Sequence, residues 1–247
     1  MSHLRSNRWH AALALVVATT AIACEGTPRT AADEAAQRDD GAEKMHDAAE
    51  VLRQMSAMPD TVPLDLRRSA QCVAVIPSIV KAAFIVGAQY GRGVASCRTG
   101  SGWSAPAFFS VGGGSFGAQL GVQSTDLILF VMDEHGMRKL LNSKVELGAD
   151  ASVAAGPVGR DAAAGTDWKL KAEILTYSRS RGLFAGVDLG GAVLTQDTER
   201  TRAVYGQEAD YRALLGGSVA WPASGAELQS ALAALDGRPA GPSVSSR

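Results

Sequence analysis

Apolar and polar positions divide the chain into three stretches. A helix is predicted over 42–58, where Met45, Ala48, Leu52 and Met55 recur at helical spacing and Pro59 stops the run. A short helix follows from Pro63 to Ala70. From Gln71 the character changes to short apolar runs broken by glycine. Cys72–Ile76 is one strand, stopped by Pro77, and Lys81–Val94, Trp103–Val111 and Ser115–Val122 are further strands. The run Leu127–Met132 is apolar throughout, as in a strand covered on both faces. A turn at Asp133–Gly136 and a short helix at Met137–Leu141 come next. Trp168–Ser178 then alternates, with Trp168, Leu170, Ala172 and Ile174 on one face and Lys169, Lys171 and Glu173 on the other. Leu183–Leu194 is a last strand pair, divided near Gly190 and Gly191. Leu and Ala return to helical spacing over Glu208–Leu215 and Ser224–Leu235. Helices, many strands, then helices give an α+β fold: a mostly antiparallel, Gly-rich, curved sheet with flanking N- and C-terminal helices.

The ends read differently. Arg5 and Arg8 precede an uncharged stretch, Trp9–Ala23, which is shorter than the roughly 20 residues a membrane span needs. It fits the apolar region of a signal peptide over 1–23. Ala21-Ile22-Ala23-Cys24 resembles the bacterial lipobox, in which the cysteine is acylated with palmitate-type chains and becomes the mature N-terminus. Cys24 is therefore the predicted lipid anchor; the alternative is simple cleavage that leaves a free thiol. Residues 24–41 read as a flexible tether, 42–236 as the domain and 237–247 as a disordered tail. Glu25 after the cysteine points to the periplasmic face of a Gram-negative outer membrane.

The net charge is −1, with 24 basic and 25 acidic residues, and loss of Arg5 and Arg8 makes it −3. Nothing in this balance calls for nucleic acid. In an exported protein, Cys72 and Cys97 are expected to form a disulfide; two buried thiols are the alternative. Two cysteines without a nearby His do not make a metal site, and no cofactor is predicted.

Catalytic chemistry is sparse. His3 and His10 leave with the signal peptide, while His46 and His135 read as solvated residues. No HExxH or CxxC motif is present. Asp126, Asp150, Asp161, Asp167 and Glu173 are the acid/base candidates for an enzyme, but such carboxylates beside glycine-rich turns are usually turn residues. GGG at 112–114 lacks the Lys-Ser/Thr of a phosphate loop and reads as a strand bend or bulge. Arg92 and Arg98 flank one hairpin. Arg160, Lys169, Lys171, Arg179 and Arg181 form an anionic-headgroup site if they converge; otherwise they are a solvated face with cross-strand ion pairs.

Several stretches resemble the SYLF domain, a family also met in yeast cortical-patch proteins: GAQYGRG at 87–93, GWSAP at 102–106, FSVGGGSFGAQ at 109–119, LGADASVAAGPVGRDAAAG at 147–165, KAE at 171–173, YSRSRGLFAG at 177–186 and Tyr205-Gly206. The resemblance implies a non-enzymatic lipid-binding module; eukaryotic members bind phosphoinositides, partly through a helix near the domain's start, and some bind actin. These 247 residues include no SH3 or FYVE module. The helix at 42–58 carries Glu43, Asp47 and Glu50 against Lys44 and Arg53, which is not a basic membrane-seeking face. Actin is not an expected partner outside the cytoplasm. Membrane lipids are, with an envelope protein as the alternative.

Overall fold

A computed structural model describes residues 30–58, 62–83, 86–116, 121–158, 172–180, 183–187, 189–206 and 209–235. Residues 1–29, including the predicted signal peptide and Cys24, and residues 236–247, including the predicted tail, lie outside them.

Helix α1 (Ala31–Ala57) begins eleven residues before the predicted start. Thr30 caps it: its hydroxyl accepts the Asp33 N–H, and the Asp33 carboxylate accepts the Thr30 N–H, a closed capping box. Residues 31–40 carry no apolar stripe because this part of the helix buries little. Burial begins at Gly41 and continues through Met45, Ala48, Leu52 and Met55. After α2 (Leu64–Ser69) come β1 (Cys72–Ala83), β2 (Val86–Thr99), β3 (Gly102–Trp103), β4 (Ala107–Phe116) and β5 (Gly121–Val131). Helix α3 (Glu134–Leu140), β6 (Lys144–Glu146), β7 (Val153–Ala155), β8 (Ile174–Ser180), β9 (Leu183–Gly186) and β10 (Val193–Gln196) follow. The chain then returns to helix in α4 (Thr198–Tyr205), α5 (Tyr211–Leu215) and α6 (Ala226–Ala234).

The strands form one sheet in the order β6-β10-β4-β2-β1-β5-β8-β7, with β3 on β2 and β9 on β8. Among the described residues every strand pairing is antiparallel except β7 with β8. The two strands at the ends of this order, β6 and β7, are joined by residues 147–152 alone, and Leu147 bridges Ala151. So short a link forces the sheet to curl until its edges approach. The inner face holds Ile76, Phe109, Val111, Leu127, Leu129 and Leu194. The outer face, with Val75, Val94, Phe108, Ile128 and Phe130, is covered by α1, α2 and α6. Leu127–Val131 are all essentially fully buried, as a run covered on both faces requires.

Pro77 does not end β1. The strand passes through it in a bulge, where the register with both neighbours shifts and Ser78 adopts φ 52°. Across the bulge, β2 carries Gly91 and Gly93. A Cβ on Gly93 would lie 2.0 Å from the Val75 carbonyl oxygen, so only glycine allows the strands to cross this closely. The predicted strand Lys81–Val94 is therefore the far end of β1 and the near part of β2. At GGG 112–114, β4 runs in unbroken register with β2 and shows no bulge. Space is needed there for a different reason: a Gly113 Cβ would press on Ala192 Cα at 3.2 Å.

Cys72 and Cys97 are direct cross-strand partners on β1 and β2, fully buried and joined in a disulfide.

Candidate functional site

Of the five basic residues proposed for headgroup contact, Arg179 alone lies among the described residues; Arg160, Lys169, Lys171 and Arg181 lie outside them, as does Cys24. Arg179 sits on β8 opposite Asp126 of β5. Its Nε and one terminal nitrogen reach Asp126 Oδ2 at 2.8 and 2.7 Å, and its guanidinium lies over the Phe184 ring. Asp126 Oδ1 accepts the Ser78 N–H at 2.9 Å. This carboxylate thus ties the β1 bulge to β8, and Arg179 is turned inward to it.

The remaining acid/base candidates are also engaged in local structure. Asp150 accepts the Glu146 N–H at 2.8 Å across a turn. Glu173 accepts the Ser152 N–H at 3.1 Å and pairs with His135. His46 meets Glu227 at 3.1 Å, and Arg53 reaches the same carboxylate, linking α1 to α6. Asp161 and Asp167 lie outside the described residues. Among the described residues no group of three His, Cys, Asp or Glu side chains is placed to hold a metal ion.

A different charged cluster stands out. The first turns of α1, the start of α4 and strand β2 enclose an open cleft of about 220 Å³, lined by Ala36, Gln37, Asp40, Arg92, Asp197, Glu199 and Arg200. Arg200 is 4% exposed. Its terminal nitrogens pair with Asp40 and Asp197, and its Nε is buried without a hydrogen-bond partner among the described residues. Burying a guanidinium is tolerable only with such pairing. Asp197 also caps α4 by accepting the Arg200 N–H at 3.1 Å.

Arg92 lies in the exposed part of this cleft. Residues alternate across a strand, so the bulge-facing glycines 91 and 93 put Arg92 on the opposite, α1-side face. Its Nε donates to the Tyr90 hydroxyl at 2.7 Å, and its guanidinium lies over that ring. The Tyr90 hydroxyl first, and then Asp197 and Asp40, hold its pKa above the ordinary arginine value. Tyr90 is 51% exposed and pairs across strands with Val80, 45% exposed. These two are large apolar side chains left open beside the cleft. In the sequence Arg92 stands out as a hairpin flank and as part of GAQYGRG, with no binding role attached, and Asp40, Asp197 and Arg200 do not stand out. The one local signal was glycine on both sides of Arg92.

A family profile described as "Ysc84: Las17-binding protein actin regulator" matches residues 112–235, half of the chain. The chain belongs to the Ysc84 (SYLF) family. It is 34% identical over 191 residues to the SH3 domain-containing YSC84-like protein 1 of Xenopus laevis, covering 73% of this chain and 56% of that one. It is 31% identical over 189 residues to the human protein of that name, 73% and 55% covered. With Protein YSC84 of Saccharomyces cerevisiae it shares 32% identity over 185 residues, 71% and 39% covered. The chain thus spans about half the length of the curated relatives it matches. The Ysc84 family is of non-enzymatic, adaptor type, with lipid- and actin-related roles. The cleft's α4 side lies inside the matched region, while Arg92 and Asp40 precede it. Among the described residues of this Ysc84 domain, no helix is long and apolar enough to cross a membrane.

Proposed function

We propose that this chain is a lipid-anchored envelope protein whose Ysc84 domain binds membrane lipid headgroups without catalysing a reaction. The observation that carries the reading is where helix α1 begins. The capped start of α1 at Thr30 leaves six residue steps from Cys24 instead of the eighteen-residue tether expected from the sequence. Six steps span at most about 20 Å. An acylated Cys24 therefore holds the N-terminal end of α1 close to the bilayer, and the domain meets lipid at high local concentration. The membrane is the periplasmic face of a Gram-negative outer membrane, where actin is not a partner. Anionic headgroups are the ligand class, with Arg160, Lys169, Lys171 and Arg181 as contacts; Arg179 serves the Asp126 clamp.

Co-sedimentation of the chain from Glu25 onward with vesicles tests this. Binding to phosphatidylglycerol or cardiolipin that weakens with salt supports it. No binding at low salt to either lipid overturns it. The second reading, a docking scaffold for an envelope protein, draws on the family's description as a protein-binding one. Cross-linking that recovers one partner, with no lipid bound, would favour it.

A further inference from the structure

We propose that the cleft between α1, α4 and β2 is a site for a zwitterion: a phosphate group joined through a short linker to a primary ammonium, as in a phosphoethanolamine headgroup. The proposal rests on the membrane-proximal reading above and adds a place and a ligand chemistry to it.

The cleft's charge carries the argument. Two guanidiniums, Arg92 and Arg200, face three carboxylates, Asp40, Asp197 and Glu199. A simple anion entering there meets the Asp40 and Asp197 carboxylates, and a simple cation meets Arg92. A ligand bearing both signs satisfies both sides. The unused hydrogen-bonding groups match. Arg92 spends its Nε on Tyr90, and its two terminal nitrogens make no hydrogen bond among the described residues. They present a fork suited to phosphate oxygens. Asp40 Oδ2 accepts from Arg200, while Oδ1 accepts no hydrogen bond among the described residues and suits an ammonium N–H. Asp40 keeps about a third of its side chain in water, so it can be reached.

Arg200 supplies the second, independent observation. A side chain 4% exposed with an unpartnered Nε, lining an open cleft, leaves a buried donor that wants an acceptor. Its ion pairs with Asp40 and Asp197 already explain how it pins α1 to α4; they do not use that nitrogen.

Size and position agree. About 220 Å³ is below the ~300–1,000 Å³ of pockets for drug-sized ligands, which suits a headgroup. Gln37, in the cleft lining, lies seven residues into the helix from Thr30, roughly 10 Å along its axis. From an acylated Cys24 the cleft is thus at most about 30 Å of chain away. Beside it the exposed Tyr90 and Val80 offer an aromatic and an aliphatic side chain, and Tyr is at home at a lipid–water interface.

The test uses the chain from Glu25 onward, which keeps every described residue, with its melting midpoint as the fold check. Free phosphoethanolamine is titrated by calorimetry, with phosphate, ethanolamine and phosphocholine as comparisons. Vesicles of phosphatidylcholine with and without phosphatidylethanolamine form the second arm. Binding of phosphoethanolamine at least tenfold tighter than the other three is expected, because phosphocholine has no ammonium N–H for Asp40. Arg92→Gln, an exposed change, is expected to weaken it at least tenfold with the melting midpoint unmoved. Binding in the vesicle arm as well identifies a lipid headgroup as the source; binding of the free compound alone identifies a soluble ligand; either supports the site. Equal affinity for phosphocholine, no saturable binding in either arm, or binding indifferent to Arg92→Gln in a folded protein overturns it. Phosphatidylglycerol binding that survives Arg92→Gln, without phosphoethanolamine binding, refutes the cleft and leaves the membrane reading standing.

Discussion

Removing the Asp126 carboxylate separates the structural role of Arg179 from a lipid-binding one. In Asp126→Ala two things are lost. The Ser78 N–H, held at φ 52° in the β1 bulge, loses its acceptor. Ser78 is itself exposed, so water partly replaces the carboxylate and the cost is about 1 kcal/mol. Arg179 loses the partner it contacts through two nitrogens. Breaking a fully buried pair costs ~3–5 kcal/mol, but Arg179 keeps 21% of its side chain exposed, and screening reduces this to about 1–2 kcal/mol. The total is about 2–3 kcal/mol, or roughly 5–10 °C in melting midpoint for a domain of this size. Asp126→Asn keeps an acceptor for Ser78 and loses the charge, so it should cost about half as much. Urea denaturation at neutral pH measures all three proteins, and a double-mutant cycle with Arg179→Met should return a coupling of about 1–2 kcal/mol. A loss under ~0.5 kcal/mol for Asp126→Ala would refute the clamp. So would Arg179→Met that spares stability and abolishes vesicle binding, which would return Arg179 to the headgroup set.

Three further outcomes are expected. Tyr177 and Tyr211 are buried and Tyr205 is partly buried, and this desolvation pushes each phenol well above its ordinary value near 10, so they are neutral when folded. Their contribution to stability is complete below pH ~10 and is lost above it as the unfolded chain ionises; urea midpoints at about pH 9 and 11, with tyrosinate absorbance, check this. Replacing both Cys72 and Cys97 with Ala opens a loop of sequence separation 25 and should cost roughly 3 kcal/mol by denaturation, while vesicle binding of the folded fraction is unchanged. Gly93→Ala forces a Cβ against the Val75 carbonyl and should destabilise by about 3 kcal/mol or prevent folding, whereas Gly100→Ala, with nothing within 4 Å, should be near neutral.

The hydrophobic pattern made the fold class, the doubly covered β5 and the apolar half of α1 legible, because burial there is carried by apolar side chains at fixed period. It was silent wherever burial is polar. Helix α4, TERTRAVY, buries Arg200 and Thr201 and has no apolar stripe to read. The first turns of α1 are held by a capping box and by Arg200's bond to Asp40, a partner 160 residues away. No local window contains that pair, so the helix start and the cleft were hidden for the same reason. Pro77 misled in the opposite direction: it marks a strand end in isolation, yet Asp126 and the glycines of β2 let β1 continue past it. The tripeptide Gly91-Arg92-Gly93 then has two separable functions. Its glycines face inward, where the bulge leaves no room for a Cβ. Its arginine faces outward, into the cleft. Fold requirements account for the glycines and say nothing about the arginine between them, since any strand-compatible side chain could occupy that exposed position. The identity of residue 92 is therefore the part of this motif that the fold leaves unexplained, which is why the decisive substitution falls there.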